Sequence, residues 1–317
     1  GAPTWENFVA PFEDANERLS RAWGQVSHLH AVDDGPAMRE AYNGNLPRIT
    51  EYYADLGQNE ALFAKYKALR GDRDFAAYSS ARRKVVDNEL RDFRLGGAEL
   101  APEHKTRFKA IQEELAALGA RFEENLLDAT NAWSRVVEDP AELAGVPDDV
   151  LALFREAAEA EGKPGWKLSL RAPSYLPIMQ FCDHRPLREE LYRAYATRAS
   201  EFGPEPLDNT GLIARIVALR AESARLLGYA SYAEVSLEPK MARSPAEVLD
   251  FLETLGQRAK PYAERDMAEL REYAARELGL ATLDAWDIAY ASEKLREARY
   301  AFSEQEVKAY FPEPRVL

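Results

Sequence analysis

Apolar residues recur along most of this chain at spacings of three and four, the period of an amphipathic helix. The clearest run is Phe108, Ile111, Leu115, Leu118, Phe122, Leu126 and Trp133, a single stripe that predicts a helix from Pro102 to about Trp133. Pro102 suits a first helical position, and Glu103 suits the electropositive first turn. Arg135-Val136-Val137 then reads as a short strand. Upstream, Phe12, Leu19, Trp23 and Val26 predict an opening helix, with Thr4 as an earlier cap and Pro11 as a kink or the true start. The same period predicts helices over 38 to about 56, interrupted by Pro47, and over 59–69, stopped by Gly71. Another runs through Val85, Val86, Leu90 and Phe93 and is closed by Gly96-Gly97. Helices over 150–160, 186–200 and 212–227 follow, the first ended by Gly162 and the last stopped by Gly228.

Ser244-Pro245-Ala246-Glu247 has the form of a capping box with proline at the first helical position. It opens a long helix through Val248, Leu252, Leu255, Met267, Leu270 and Tyr273, bent near Pro261 and ended by Gly279. Ser303-Glu304-Gln305-Glu306 repeats the box before Tyr310-Phe311-Pro312. Strand signals are few. Trp166-Lys167-Leu168-Ser169-Leu170 alternates with period two, and 176–181 is its expected partner across a turn at 171–174. Proline and glycine are dense over 138–165, which places a boundary near residue 140. The expected organisation is a helical lobe over 1–140 and a mostly helical second lobe with a small β-hairpin over 141–317. The fold class is mainly α, with one small β element near 135–181.

Composition narrows the classes. Apolar residues make up 46% of the 317 and charged residues 30%, enough for a packed core and too many apolar positions for a disordered chain. The net charge is −13, with lysine and arginine interleaved among acids rather than gathered in a stripe, which argues against nucleic-acid binding. No apolar run reaches the length of a membrane span. The one cysteine, Cys182, precludes an internal disulfide and a cysteine-built zinc site, and a reducing cytoplasm fits it.

The candidate chemistry is mostly negative. A zinc hydrolase helix carries His-Glu-x-x-His, because positions i and i+4 place both imidazoles on one face. His28 and His30 are two apart and diverge by about 200° on a helix, and neither His104 nor His184 has the spacing. All four read as surface or packing histidines, His184 with Asp183 as a cap for the helix that follows. Cys182 with His184 two residues on is a weak nucleophile-and-base pair without a recognisable oxyanion hole. The acid pairs Glu113-Glu114 and Glu123-Glu124 read as solvated helix faces. Trp286, Tyr290 and Tyr300 read first as core aromatics, and alternatively as a wall against which an extended peptide lies.

Several segments, in consistent order, resemble a known family. They include Pro3-Thr4-Trp5-Glu6-Asn7-Phe8, Leu90-Arg91-Asp92-Phe93-Arg94-Leu95, Asn125 with Leu127-Asp128-Ala129-Thr130, Ala172-Pro173-Ser174-Tyr175-Leu176-Pro177, Arg188-Glu189-Glu190-Leu191-Tyr192-Arg193-Ala194-Tyr195, Trp286-Asp287-Ile288-Ala289-Tyr290 and Tyr310-Phe311-Pro312. The family is that of the oligopeptidase A and thimet-oligopeptidase-like zinc peptidases (M3), and the likeness is to its N-terminal half. The resemblance implies a two-lobed, neurolysin-like helical fold with a deep channel, hydrolysis of short unstructured peptides, and a zinc held by His-Glu-x-x-His and a later glutamate. That motif lies downstream of Tyr-Phe-Pro in the family and no position here matches it, so no catalytic or metal residue carries over and no zinc is expected in this chain. The loop over 202–209 is shorter than the family's usual one. Expected partners are short peptides, the missing C-terminal catalytic half and, through the surface that half leaves bare, a second copy; nucleic acid and membrane are excluded. Two other readings stay open: a helical scaffold that binds a partner protein through an exposed groove, and a cysteine enzyme built on Cys182.

Overall fold

The computed structural model describes residues 2–33, 35–300, 306–307, 310–312 and 315. Twelve α-helices stand among them. Thr4 caps a short π-helical turn over Trp5–Val9, accepting from the backbone N–H of Asn7 while the Asn7 side chain accepts from its own. The chain then enters α1 (Ala10–Val32) with Pro11 in the first turn. α2 (Pro36–Gly57), α3 (Glu60–Gly71), α4 (Ser80–Leu95) and α5 (Pro102–Ala132) follow. After strand β1 (Ser134–Val137) come α6 (Asp148–Glu159), β2 (Trp166–Ser169), α7 (Ala172–Phe181) and α8 (Arg185–Ala196). α9 (Thr210–Leu226), α10 (Tyr232–Leu237), α11 (Pro245–Glu277) and α12 (Ala285–Tyr300) complete the chain. Asn59 and Ser79 cap α3 and α4 through their side chains. Gly97, at φ +92, closes α4: its own N–H reaches the Arg94 carbonyl and that of Ala98 reaches the Phe93 carbonyl, a pair of hydrogen bonds that needs a left-handed residue.

Two expectations are corrected. Residues 176–181 are not a strand but the body of α7; β2 pairs instead with β1, antiparallel, with Val136 opposite Lys167 and Val137 opposite Trp166. A short apolar run has no diagnostic period. Here Pro173 at the helix start and Ser174, whose Oγ accepts the Ser169 N–H at 2.9 Å, turn the chain into a helix directly after β2. Pro47, for its part, does not interrupt α2. It lies inside a continuous helix on an exposed position. The second capping box, at 303–306, has only Glu306 among the described residues.

Contacts divide the chain into two compact units, Gly1–Glu124 with Asn209–Leu252, and Asn125–Asp208 with Glu253–Leu317. The chain thus passes between units at three points, whereas proline and glycine density drew a single boundary near 140. The first unit is built on Val9, Phe63, Tyr66, Val86, Leu90 and Phe93. Within it, Gly57 and Gly96 bring α2 and α4 together backbone to backbone; a Cβ on Gly96 would lie 2.8 Å from the Gly57 Cα, so neither position admits a side chain without separating the helices. Glu124 is not on a solvated face: its carboxylate accepts from Asn43 at 2.7 Å and lies 3.4 Å from His30 Nε2, whose ring is buried and stacked on Tyr42. The second unit is built on Val137, Val150, Phe154, Leu168, Ile178, Leu187 and Leu191, with a smaller cluster of Leu270, Ala274 and Ala291 between α11 and α12.

Candidate functional site

In the second unit, the loop between α7 and α8 meets the start of α12 in a buried polar network. Asp287 is fully buried. Arg185 donates to it from Nε at 3.1 Å and from a terminal nitrogen at 2.7 Å, and Arg188, 1% exposed, donates at 2.8 Å. The backbone N–H of Asp284 adds a fourth donor at 3.1 Å. Burial by itself would push the Asp287 carboxyl up; the hydrogen bonds from Arg185, Arg188 and the backbone outweigh it and hold the group below the usual carboxylate range. Arg188 also donates to the carbonyls of Cys182 and Trp286, and its guanidinium lies 4.0 Å over the Tyr290 ring. The Tyr290 hydroxyl donates to Asp183 at 2.8 Å, and burial with that contact pushes its pKa up. Such a network holds three elements in register.

In the first unit, a cavity of about 830 Å³ opens between α1, α2 and α4. Trp5, Tyr53, Leu56 and Phe93 form its apolar lining, and Glu13, Asp14, Glu17, Glu89 and Asp92 place five carboxyls around it. Burial, and then the charges of Glu13 and Asp92, push Glu89 up to about 7, against a smaller opposing pull from Arg91. Glu13 is likewise raised by burial, while its hydrogen bond from the Tyr66 hydroxyl works the other way. A pocket lined in this way repels anions and holds protons near neutral pH. Sequence reasoning missed it, since its acids come from two helices far apart in the chain.

The family comparisons settle what these units belong to. The N-terminal domain model of neurolysin and thimet oligopeptidase matches residues 2–105, and the peptidase family M3 model matches 178–317. The chain belongs to peptidase family M3. It is 46% identical to oligopeptidase A of Haemophilus influenzae over 316 residues, 99% of this chain and 46% of that protein. Identity to oligopeptidase A of Escherichia coli is 45% over 100% of this chain and 47% of the relative, and to the dipeptidyl carboxypeptidase of the same organism 28% over 99% and 46%. The chain therefore spans a little under half the length of these M3 relatives.

Within this M3 chain the three aromatics singled out from sequence are placed unequally. Trp286 and Tyr290 lie one turn apart on α12, the first half-buried against the second unit's core, the second buried over Asp183. Tyr300 ends α12 about 15 Å further along its axis, with its residue 60% exposed. The structure thus groups two of them and leaves the third apart. Cys182 and His184 do not form a strand pair: they cap the end of α7 and the start of α8. The Cys182 thiol is buried, donates to the Glu142 carbonyl at 3.2 Å, and is pushed up by burial, the opposite of an activated nucleophile. His184 occupies the cap position without a side-chain capping bond, and its Nδ1 lies 3.9 Å from Glu142. Among the described residues no three histidine, cysteine or acidic groups converge where a metal ion would be held. The described residues do not fit the zinc that the family resemblance implies. No described helix is long and apolar enough to cross a membrane.

Proposed function

We propose that this chain supplies the non-catalytic part of a zinc oligopeptidase. It forms helical walls against which a short, unstructured peptide lies, while zinc comes from the portion of the family's sequence that it does not span. What supports this reading is a match to oligopeptidase A over 99% of this chain. The bound metal would supply the Lewis acid and the activated water of peptide hydrolysis. This chain's own residues bind and orient. Tyr300 offers an exposed ring at the end of α12, and Trp286 and Tyr290 fix that helix from beneath through the Arg188–Asp287 network. A lone reduced cysteine suits a cytoplasmic setting.

The test is complementation. The unspanned part of Haemophilus oligopeptidase A, added as a separate chain or as a fusion, is expected to bring chelator-sensitive cleavage of a short quenched-fluorescence peptide. A soluble, zinc-loaded assembly that leaves the peptide intact would overturn the reading. The bare apolar face of α11 favours a second reading, a helical scaffold whose groove binds a partner protein; on that reading the added part confers no cleavage.

A further inference from the structure

On α11, positions 248, 251, 252, 255, 259 and 262 fall within an arc of about 100°. They carry Val, Phe, Leu, Leu, Ala and Tyr. The opposite side of the helix carries Asp250, Glu253, Gln257, Lys260 and Glu264. This is the pattern of a helix that faces a core, yet Phe251 is 66% exposed, Leu252 and Leu255 53%, and Tyr262 62%. Single exposed leucines are ordinary; four large apolar residues in one stripe are not. Beyond Asp266, which interrupts the stripe, Leu270 and Tyr273 return to the same arc with Ala274 beside it; Leu270 and Ala274 are buried with Ala291 of α12, and the Tyr273 hydroxyl donates to the Lys294 carbonyl at 3.0 Å. One face of one helix is therefore packed at its C-terminal end and bare at its N-terminal end.

We propose that the bare stretch, centred on Phe251, Leu252 and Leu255, is the docking face for the part of an M3 peptidase that this chain does not span. The inference rests on the functional reading above and adds to it the surface by which the two parts meet. Two observations choose the occupant. The relatives that match over this whole chain carry more than as much polypeptide again, since it covers only 46–47% of their length. The packed half of the stripe is covered by the chain's own next helix, so a helix laid beside it extends packing that already exists.

The experiment is cysteine protection. Cys182 is buried and contributes no background. Leu255→Cys and Phe251→Cys, with Gln257→Cys on the charged side as control, are labelled with a maleimide in the chain alone and joined to the unspanned part of Haemophilus oligopeptidase A, both as fusion and as mixture. All three are expected to label rapidly in the chain alone. Joined, the first two slow by at least about tenfold, because labelling then requires opening of the interface, while the control is unchanged. Undiminished labelling of Leu255→Cys in an assembly that cleaves peptide overturns the docking face and leaves the peptidase reading standing. Protection without cleavage does the reverse. Undiminished labelling in both fusion and mixture, with no cleavage, overturns the docking face too. Protection in the chain alone that grows with its concentration assigns the stripe to a second copy and also overturns the proposal.

Discussion

Asp287 in the second unit and Glu89 in the first are both withdrawn from water, and burial pushes both carboxyls in the same direction. They end on opposite sides of the usual range. Asp287 receives two arginines and a backbone N–H, and stays ionised. Glu89 faces Glu13 and Asp92 across a cavity, with only Arg91 pulling the other way, and that guanidinium is spent on Asp92 and Asn88. The difference lies in the donors: with them a buried acid becomes a fixed strut, and without them burial, reinforced by like charges, leaves a group that keeps its proton near neutral pH.

The contrast is broken most severely by removing the strut. Asp287→Ala strands the Arg188 guanidinium in the interior, with an expected loss of roughly 3–5 kcal/mol in urea unfolding of the second unit. Replacing both partners, Asp287→Leu with Arg188→Met, is expected to recover most of that loss, because no buried charge remains. A double variant as unstable as the single one would mean that shape, not charge compensation, governs this site.

The two acids also predict opposite pH dependences. The Glu89 pKa is raised, so its contribution is fully present below about pH 4.5, the ordinary glutamate value, and is lost as pH rises through about 7. The Asp287 pKa is depressed, so its contribution is present above the ordinary aspartate range and is lost as pH falls through the folded value. Hydrogen exchange read unit by unit should show the first unit loosening from pH 5 to 8 and the second loosening only in acid. Glu89→Gln should stabilise the first unit by about 1 kcal/mol at pH 8, after screening by solvent, and by little at pH 4. Equal effects at both pH values would contradict the raised pKa.

Smaller effects sharpen the picture. Tyr290→Phe removes one hydrogen bond to Asp183 while keeping the ring under Arg188, for about 1 kcal/mol in the same unfolding measurement. Leu252→Glu with Leu255→Glu should change the stability of the chain alone by no more than about 0.5 kcal/mol per site, since both side chains already face water. A large loss there would mean that the stripe is covered within this chain.

The helices were legible in the sequence because their signals are local. The stripe of α5, the stops at Gly97 and Gly228 and the caps at Asn59 and Ser244 each act within a few residues. What was not legible depends on partners remote in sequence. β2 pairs with a strand some thirty residues upstream, not with the neighbouring apolar run, which folds as α7. Glu124, read as solvated, is half-buried and held by Asn43 and His30. Of the candidate site, Trp286 and Tyr290 were visible as aromatics, but the arginines beneath them were not, because Asp287 looks like any acid at a helix start. The cavity around Glu89 gathers acids from two helices and left no sequence signal at all.

On the proposed reading, this chain shapes a peptidase without holding its metal. It is tested most directly by zinc content and short-peptide cleavage of the purified chain, verified by intact mass at 317 residues. Less than one zinc per chain and no chelator-sensitive cleavage are expected. One zinc per chain with cleavage that a chelator abolishes would contradict it.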